Sequence, residues 1–113
     1  MLPKNRRIQR VYFKTLLNSN KKFNSEHLTL FLHNKKDGSP TVFSFSISKK
    51  NCKSAVLRNK FRRRSYSVIS KNIKNIKPNF MCFFVFKKGF NKLSYFDLEK
   101  QILNLLQDSL VLI

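Results

Sequence analysis

Residues 49–75 read KKNCKSAVLRNKFRRRSYSVISKNIKN. From Ala55 onward the chain has no Gly or Pro until Pro78, which is the length of a long helix. Leu57, Phe61 and Val68 recur at helical spacing, and Ile69, Ile73 and Ile76 continue that stripe with a rotation. The helix therefore docks through a narrow apolar seam, with cations on both shoulders. Arg58 and Arg62 lie one turn apart on one flank, beside Asn59 and Tyr66. Lys60, Arg63, Lys71 and Lys74 lie on the other. No acid occurs between Asp37 and Asp97. So dense a run of like charge repels itself, and a folded chain keeps it where a polyanion can lie against it. A solvated helix face is the bland alternative, but such faces mix both signs and this one does not.

The elements around this helix follow from period and punctuation. Asn5 is placed to cap a helix from Arg6 to about Leu17, with Ile8, Val11, Tyr12 and Leu16 as its core stripe. Phe13 and Leu17 fall on a shoulder of that helix. They either widen the apolar face or form a shelf for a nucleotide base. Residues 26–33, EHLTLFLH, alternate as a half-buried strand, and so do 41–48, with Phe43, Phe45 and Ile47 against Ser44, Ser46 and Ser48. The Asp37-Gly38 turn between them makes 26–48 an expected β-hairpin. Residues 80–86, FMCFFVF, are a continuous apolar strand suited to a central position. Ser94 caps a last helix with Leu98, Ile102, Leu105, Leu106 and Leu110 as its stripe, and most of the chain's acid sits there. The order helix, strands, helix, strand, helix gives a small α+β two-layer sandwich, 1–113, built as one domain.

Composition narrows the function. The 113 residues carry 24 Lys and Arg against 5 acids, a formal net charge of +19, with an ordinary apolar fraction of 42%. A folded chain this basic calls for a nucleic-acid partner. The longest apolar run before the tail, Phe80 to Phe86, is too short to span a bilayer, and the opening lacks the apolar stretch of a secretory signal. A cytoplasmic protein with no membrane and no small-molecule substrate is expected. Cys52, Cys82, His27 and His33 show no zinc spacing, so no metal ligand set and no disulfide are expected. No carboxylate pair, no nucleophile with a base and no Gly-rich phosphate loop emerges, so no catalytic residue is assigned. The chain should position RNA rather than cut it. A small ribosomal protein or general RNA chaperone fits charge and size equally. A protein-only nuclease or toxin is disfavoured by the acid distribution.

The pattern Lys49-Lys50-Asn51-x-x-x-Ala55-x-x-Arg58-Asn59-Lys60-x-Arg62-Arg63 separates these readings. It resembles the signature of the bacterial ribonuclease P protein subunit, an Arg-Asn-Arg-x-Lys-Arg core with a further Arg three residues on, preceded by a Lys-Lys pair and an Ala. Here Lys60 stands for the usual Arg, Arg62 for the usual Lys and Tyr66 for the later Arg, with Arg64 as an additional cation. Lys60 lacks the planar fork that grips phosphate bidentately. The likeness extends from Leu2-Pro3-Lys4-Asn5-Arg6-Arg7-Ile8 to the strand ending Lys87-Lys88-Gly89 and the Leu-rich last helix. It implies the order α-β-β-β-α-β-α, completed by a short strand near Lys22 to Asn24. It also implies a ribosomal-protein-S5-domain-2-like fold with a left-handed strand-helix-strand crossover. The implied role is that of the non-catalytic subunit of a ribonucleoprotein endonuclease that removes the 5′ leader from precursor tRNA. The chemistry would be carried by the RNA with magnesium, and no cofactor bound by the protein alone. By the same resemblance Arg58, Asn59, Lys60, Arg62, Arg63 and Arg64, with Lys49 and Lys50, would meet the ribonuclease P RNA. Phe13, Leu17, Phe31 and Tyr66 would hold the leader.

Overall fold

The computed structural model describes residues 6–8, 14 and 21–112. In chain order the elements are β1 (Lys22–Asn24), β2 (Leu28–Asn34), β3 (Val42–Ser46), α1 (Ala55–Lys71), a 3-10 turn (Ile73–Asn75), β4 (Phe80–Phe86), a second 3-10 turn (Phe90–Lys92) and α2 (Tyr95–Asp108). The strands form one sheet in the order β1-β2-β4-β3. The apolar β4 takes the interior place its composition demands, antiparallel to β2 and parallel to β3. The expected 26–48 hairpin is therefore not formed, because β4 inserts between its two halves. The hairpin is instead β1–β2, with Asn24 opposite Thr29. The loop between β2 and β3 spans β4's entry: Asn79, at φ +83, accepts from the Gly38 N–H and donates its own N–H to the Ser39 carbonyl at 2.9 Å.

Alternation then separates two faces. Leu28, Leu30, Leu32, Phe43, Phe45, Cys82, Phe84 and Phe86 point toward α1 and α2 and are all buried. Phe45 stacks on Phe84 at 4.7 Å, and Phe61 of α1 meets Phe90 edge-on at 5.0 Å. Phe31, Val42, Met81, Phe83 and Val85 point the other way and gather around Ile8. Cys52 and Cys82 are unlinked thiols, and full burial pushes the Cys82 pKa up.

Two boundaries differ from expectation. Arg7 bridges Phe43 in parallel and the Ile8 N–H donates to the Phe43 carbonyl at 3.0 Å, so backbone at 7–8 is extended where a helix was expected from Arg6. This pairing covers β3's open edge. At the other end α2 stops at Asp108, and Leu110, expected in the core stripe, adopts φ +64 and is 69% exposed. Val111 is buried in its place, and its carbonyl accepts from Lys77 N–H at 2.8 Å. Among the described residues no helix is long and apolar enough to cross a membrane.

Candidate RNA interface

Helix α1 begins where Ser54 Oγ accepts the Leu57 N–H at 3.2 Å, and no acid lies in its first turn. Its buried stripe is Arg58, Phe61, Ser65, Tyr66, Val68 and Ile69. Polar members are tolerated there because each finds a partner: Ser65 Oγ, for example, donates to the Phe61 carbonyl at 2.8 Å. Docking by this stripe turns Asn59, Lys60 and Arg63 outward and leaves Arg62 and Arg64 half-exposed. Asn59 Oδ1 accepts from Arg62 Nη1 at 2.8 Å, which holds that guanidinium in a fixed direction. Val56, 78% exposed, forms with Asn59, Arg62 and Arg63 a groove of about 470 Å³. Arg64 lies 5.7 Å from the centre of the Phe61 ring, its charge still partly open to solvent.

Arg58 does something different. It is 8% exposed, and its Nη1 donates to the Cys52 carbonyl at 2.7 Å. The expected place for Arg58 on the RNA-contacting flank is thus corrected: its guanidinium ties the 48–54 loop to the first turn of α1. Ser48 shapes the same loop, its carbonyl accepting the Asn51 and Cys52 N–H groups at 3.1 Å. Asn51 Nδ2 reaches the Phe86 carbonyl at 3.4 Å, fixing the loop to the end of β4. Lys49 and Lys50 emerge from this pinned turn fully outward.

The other face of the sheet carries the second candidate surface. Phe31 is half-buried, with Phe83 at 6.3 Å and Lys22 Nζ 5.9 Å from its ring centre. Phe13 and Leu17 lie outside the described residues. Tyr66, expected on the α1 flank and grouped with Phe31 as a leader residue, belongs to the opposite layer from Phe31: it is 6% exposed and meets Phe45 edge-on at 5.0 Å. Its ring fills the core between α1 and the sheet and offers no stacking face. Burial raises its pKa, opposed by hydrogen bonding at Phe45 and Ser44 and by the nearby charges of Arg7 and Arg62.

Tyr95 and Ser67, which sequence reasoning passed over, join the basic flank beside Lys71. Tyr95, at the start of α2, takes a hydrogen bond from Lys71 Nζ at 3.1 Å and donates to Ser67 Oγ at 3.4 Å. Those contacts hold the Tyr95 pKa below the ordinary phenol value, with Ser67 the larger cause, and raise that of Lys71. Only the packing of α2 on α1 brings them together, and no local pattern signals it.

Among the described residues no three of His, Cys, Asp or Glu gather to hold a metal ion. The hollow between Glu26, His27 and α2 is a structural joint: Gln101 Oε1 accepts from Ser25 Oγ at 2.8 Å and from the His27 N–H at 3.0 Å, and Gln101 Nε2 donates to His27 Nδ1. What remains chemically is a set of hydrogen-bonded and outward-facing cations on one layer and an aromatic surface with a lysine on the other.

The protein-family model for Ribonuclease P matches residues 2–109. Among solved structures, the RNase P protein of Staphylococcus aureus superposes with a TM-score of 0.86 at 18% identity, covering 97% of this chain and 100% of that one. The RNase P protein from Thermotoga maritima gives 0.81 at 18% identity, over 90% of this chain and 96% of that one. The Thermotoga maritima protein in complex with 1-(4-fluorophenyl)-2-thiourea gives 0.78 at 18% identity, over 87% and 94%. No curated protein sequence matches the chain. The α+β order, the acid-free face of α1 and the family match agree, and the chain belongs to the ribonuclease P protein family.

Proposed function

We propose that this protein is the non-catalytic subunit of ribonuclease P, acting in the cytoplasm, and that it helps a catalytic RNA remove the 5′ leader from precursor tRNA. The observation that carries the reading is the cation face of α1: Asn59, Lys60, Arg62, Arg63 and Arg64 stand free of acid, and Arg62 is aimed by Asn59. These side chains, with Lys49 and Lys50, would bind the phosphates of the ribonuclease P RNA. The Phe31 surface with Lys22 would take the single-stranded leader, the ring against a base and the ammonium against a phosphate.

The physical contribution is charge compensation. Leader and catalytic RNA are both polyanions, and bringing them together confines counterions. A protein of net charge +19 placed between them releases those ions and lowers the magnesium the complex needs to assemble. Bond cleavage itself, with magnesium, would belong to the RNA.

The test is the affinity of the reconstituted complex for precursor tRNA and for the same tRNA without its leader. Tighter binding of the leader-bearing form, by about tenfold for one stacked base, is expected. Equal affinities would contradict leader binding. Binding of the free protein to the catalytic RNA should fall with salt at a log-log slope of about −5 if six phosphates are met. A slope near −1 would mean that the charge is solvated.

A further inference from the structure

Basic helix α1 carries a second groove, on the side facing α2. Lys60, Arg63, Arg64 and Ser67 of α1 line it, Tyr95 of α2 forms its wall, and its volume is about 370 Å³. Lys71 closes the far end through its bond to Tyr95 and lies 4.9 Å from that ring's centre. Positions 60, 63, 64, 67 and 71 form one stripe at helical spacing, running about 16 Å along the axis. No acid of α1 interrupts it. Glu99 of α2 is the acid that acts on both Lys71 and Tyr95, at the α2 margin. This groove shares only Arg63 with the one lined by Val56, Asn59 and Arg62.

We infer that this second groove, walled by Tyr95 and ended by Lys71, is a separate binding track for the phosphate backbone of the ribonuclease P RNA, so that α1 is gripped along both shoulders. The inference rests on the ribonuclease P reading above and deepens it. A row of cations with hydroxyls at Ser67 and Tyr95 complements a line of phosphate oxygens. The occupant is the catalytic RNA rather than the precursor's leader, because the groove lies on the helix layer, whereas Phe31 lies on the opposite face of the sheet. Tyr95 extends the interface onto α2, which its acidic residues would otherwise exclude. Glu99 marks where the track stops.

The experiment titrates ribonuclease P RNA with full-length wild type, Lys71→Gln, Tyr95→Ala and Glu99→Gln across a salt series. Lys71→Gln should make the salt slope shallower by about 1. Tyr95→Ala should weaken binding by about tenfold, the scale of one lost charge-assisted contact or stacked base. Glu99→Gln should tighten binding by about twofold, a gain that damage to the fold does not produce. A wild-type slope near −5 with all three variants unchanged overturns this inference alone. A wild-type slope near −1 overturns the reading beneath it. Precursor tRNA is then titrated onto the preassembled complex. Weakening of that step alone, with the catalytic RNA bound normally, assigns the groove to tRNA and overturns the inference.

Discussion

The two long helices among the described residues are built alike and charged oppositely. Both start at a serine cap, Ser54 for α1 and Ser94 for α2, and both lie on the same face of the sheet. α2 buries only Leu98, Ile102, Leu105 and Leu106, and its exposed face mixes Asp97, Glu99 and Asp108 with Lys100. α1 has no acid, and its buried stripe includes an arginine, two tyrosine and serine hydroxyls, and only three purely apolar side chains. Packing thus explains why each helix is present, but not why α1 keeps its charge. α2 carries three acids against one lysine, whereas α1 has no acid to offset its own cations, and that excess calls for an external polyanion.

The contrast breaks first on packing. Phe61→Ala should destabilise the protein by about 3–5 kcal/mol, and Leu98→Ala by about 2–5, in urea unfolding. An unchanged midpoint for Phe61→Ala would mean that α1 does not dock by this stripe. Next comes the division within α1. Arg58→Ala, which leaves the Cys52 carbonyl without its partner, should cost about 1.5–3 kcal/mol of stability. Arg62→Ala should leave the midpoint in place and weaken binding to the catalytic RNA by about tenfold. The reverse pairing would exchange their roles. On the other sheet face, Phe31→Ala should weaken leader-bearing precursor by about 1–3 kcal/mol and mature tRNA by less. Equal losses on both would remove Phe31 from the leader surface. The smallest effect belongs to α2: Asp97→Asn, in the first turn, should cost about 0.3–1 kcal/mol of stability through the helix dipole. Its RNA affinity should stay within about twofold, since screening isolates it from α1. A large RNA effect there would erase the distinction between the helices.

What was legible in the sequence follows the same line. The alternation of β2 and β3, the apolar run of β4 and the stripe of α2 each fix which side chains face inward, and those elements formed with the expected faces, save that Leu110 falls outside the α2 stripe. Alternation does not fix which strands are neighbours, so the 26–48 hairpin was a natural reading until β4 claimed the central place. Arg58 and Tyr66 are buried where the sequence suggested exposed side chains, for a related reason. An arginine in a basic run looks exposed unless a carbonyl waits for it, and the Cys52 carbonyl is supplied by a loop whose shape depends on Ser48 and Asn51. Tyr66 reads as a surface aromatic on a charged flank, but the edge of Phe45 gives it a place in the core. Tyr95 shows the converse: its helix looks acidic in sequence, and only tertiary packing sets its hydroxyl between Ser67 and Lys71.

The most direct measurement is cleavage of a precursor tRNA at low magnesium by this protein and a bacterial ribonuclease P RNA, together and apart. The expected result is cleavage at the mature 5′ end that appears when both are present, with neither component active alone under those conditions. Cleavage by the protein alone, or no gain over the RNA alone, would contradict its role as the RNA-binding subunit.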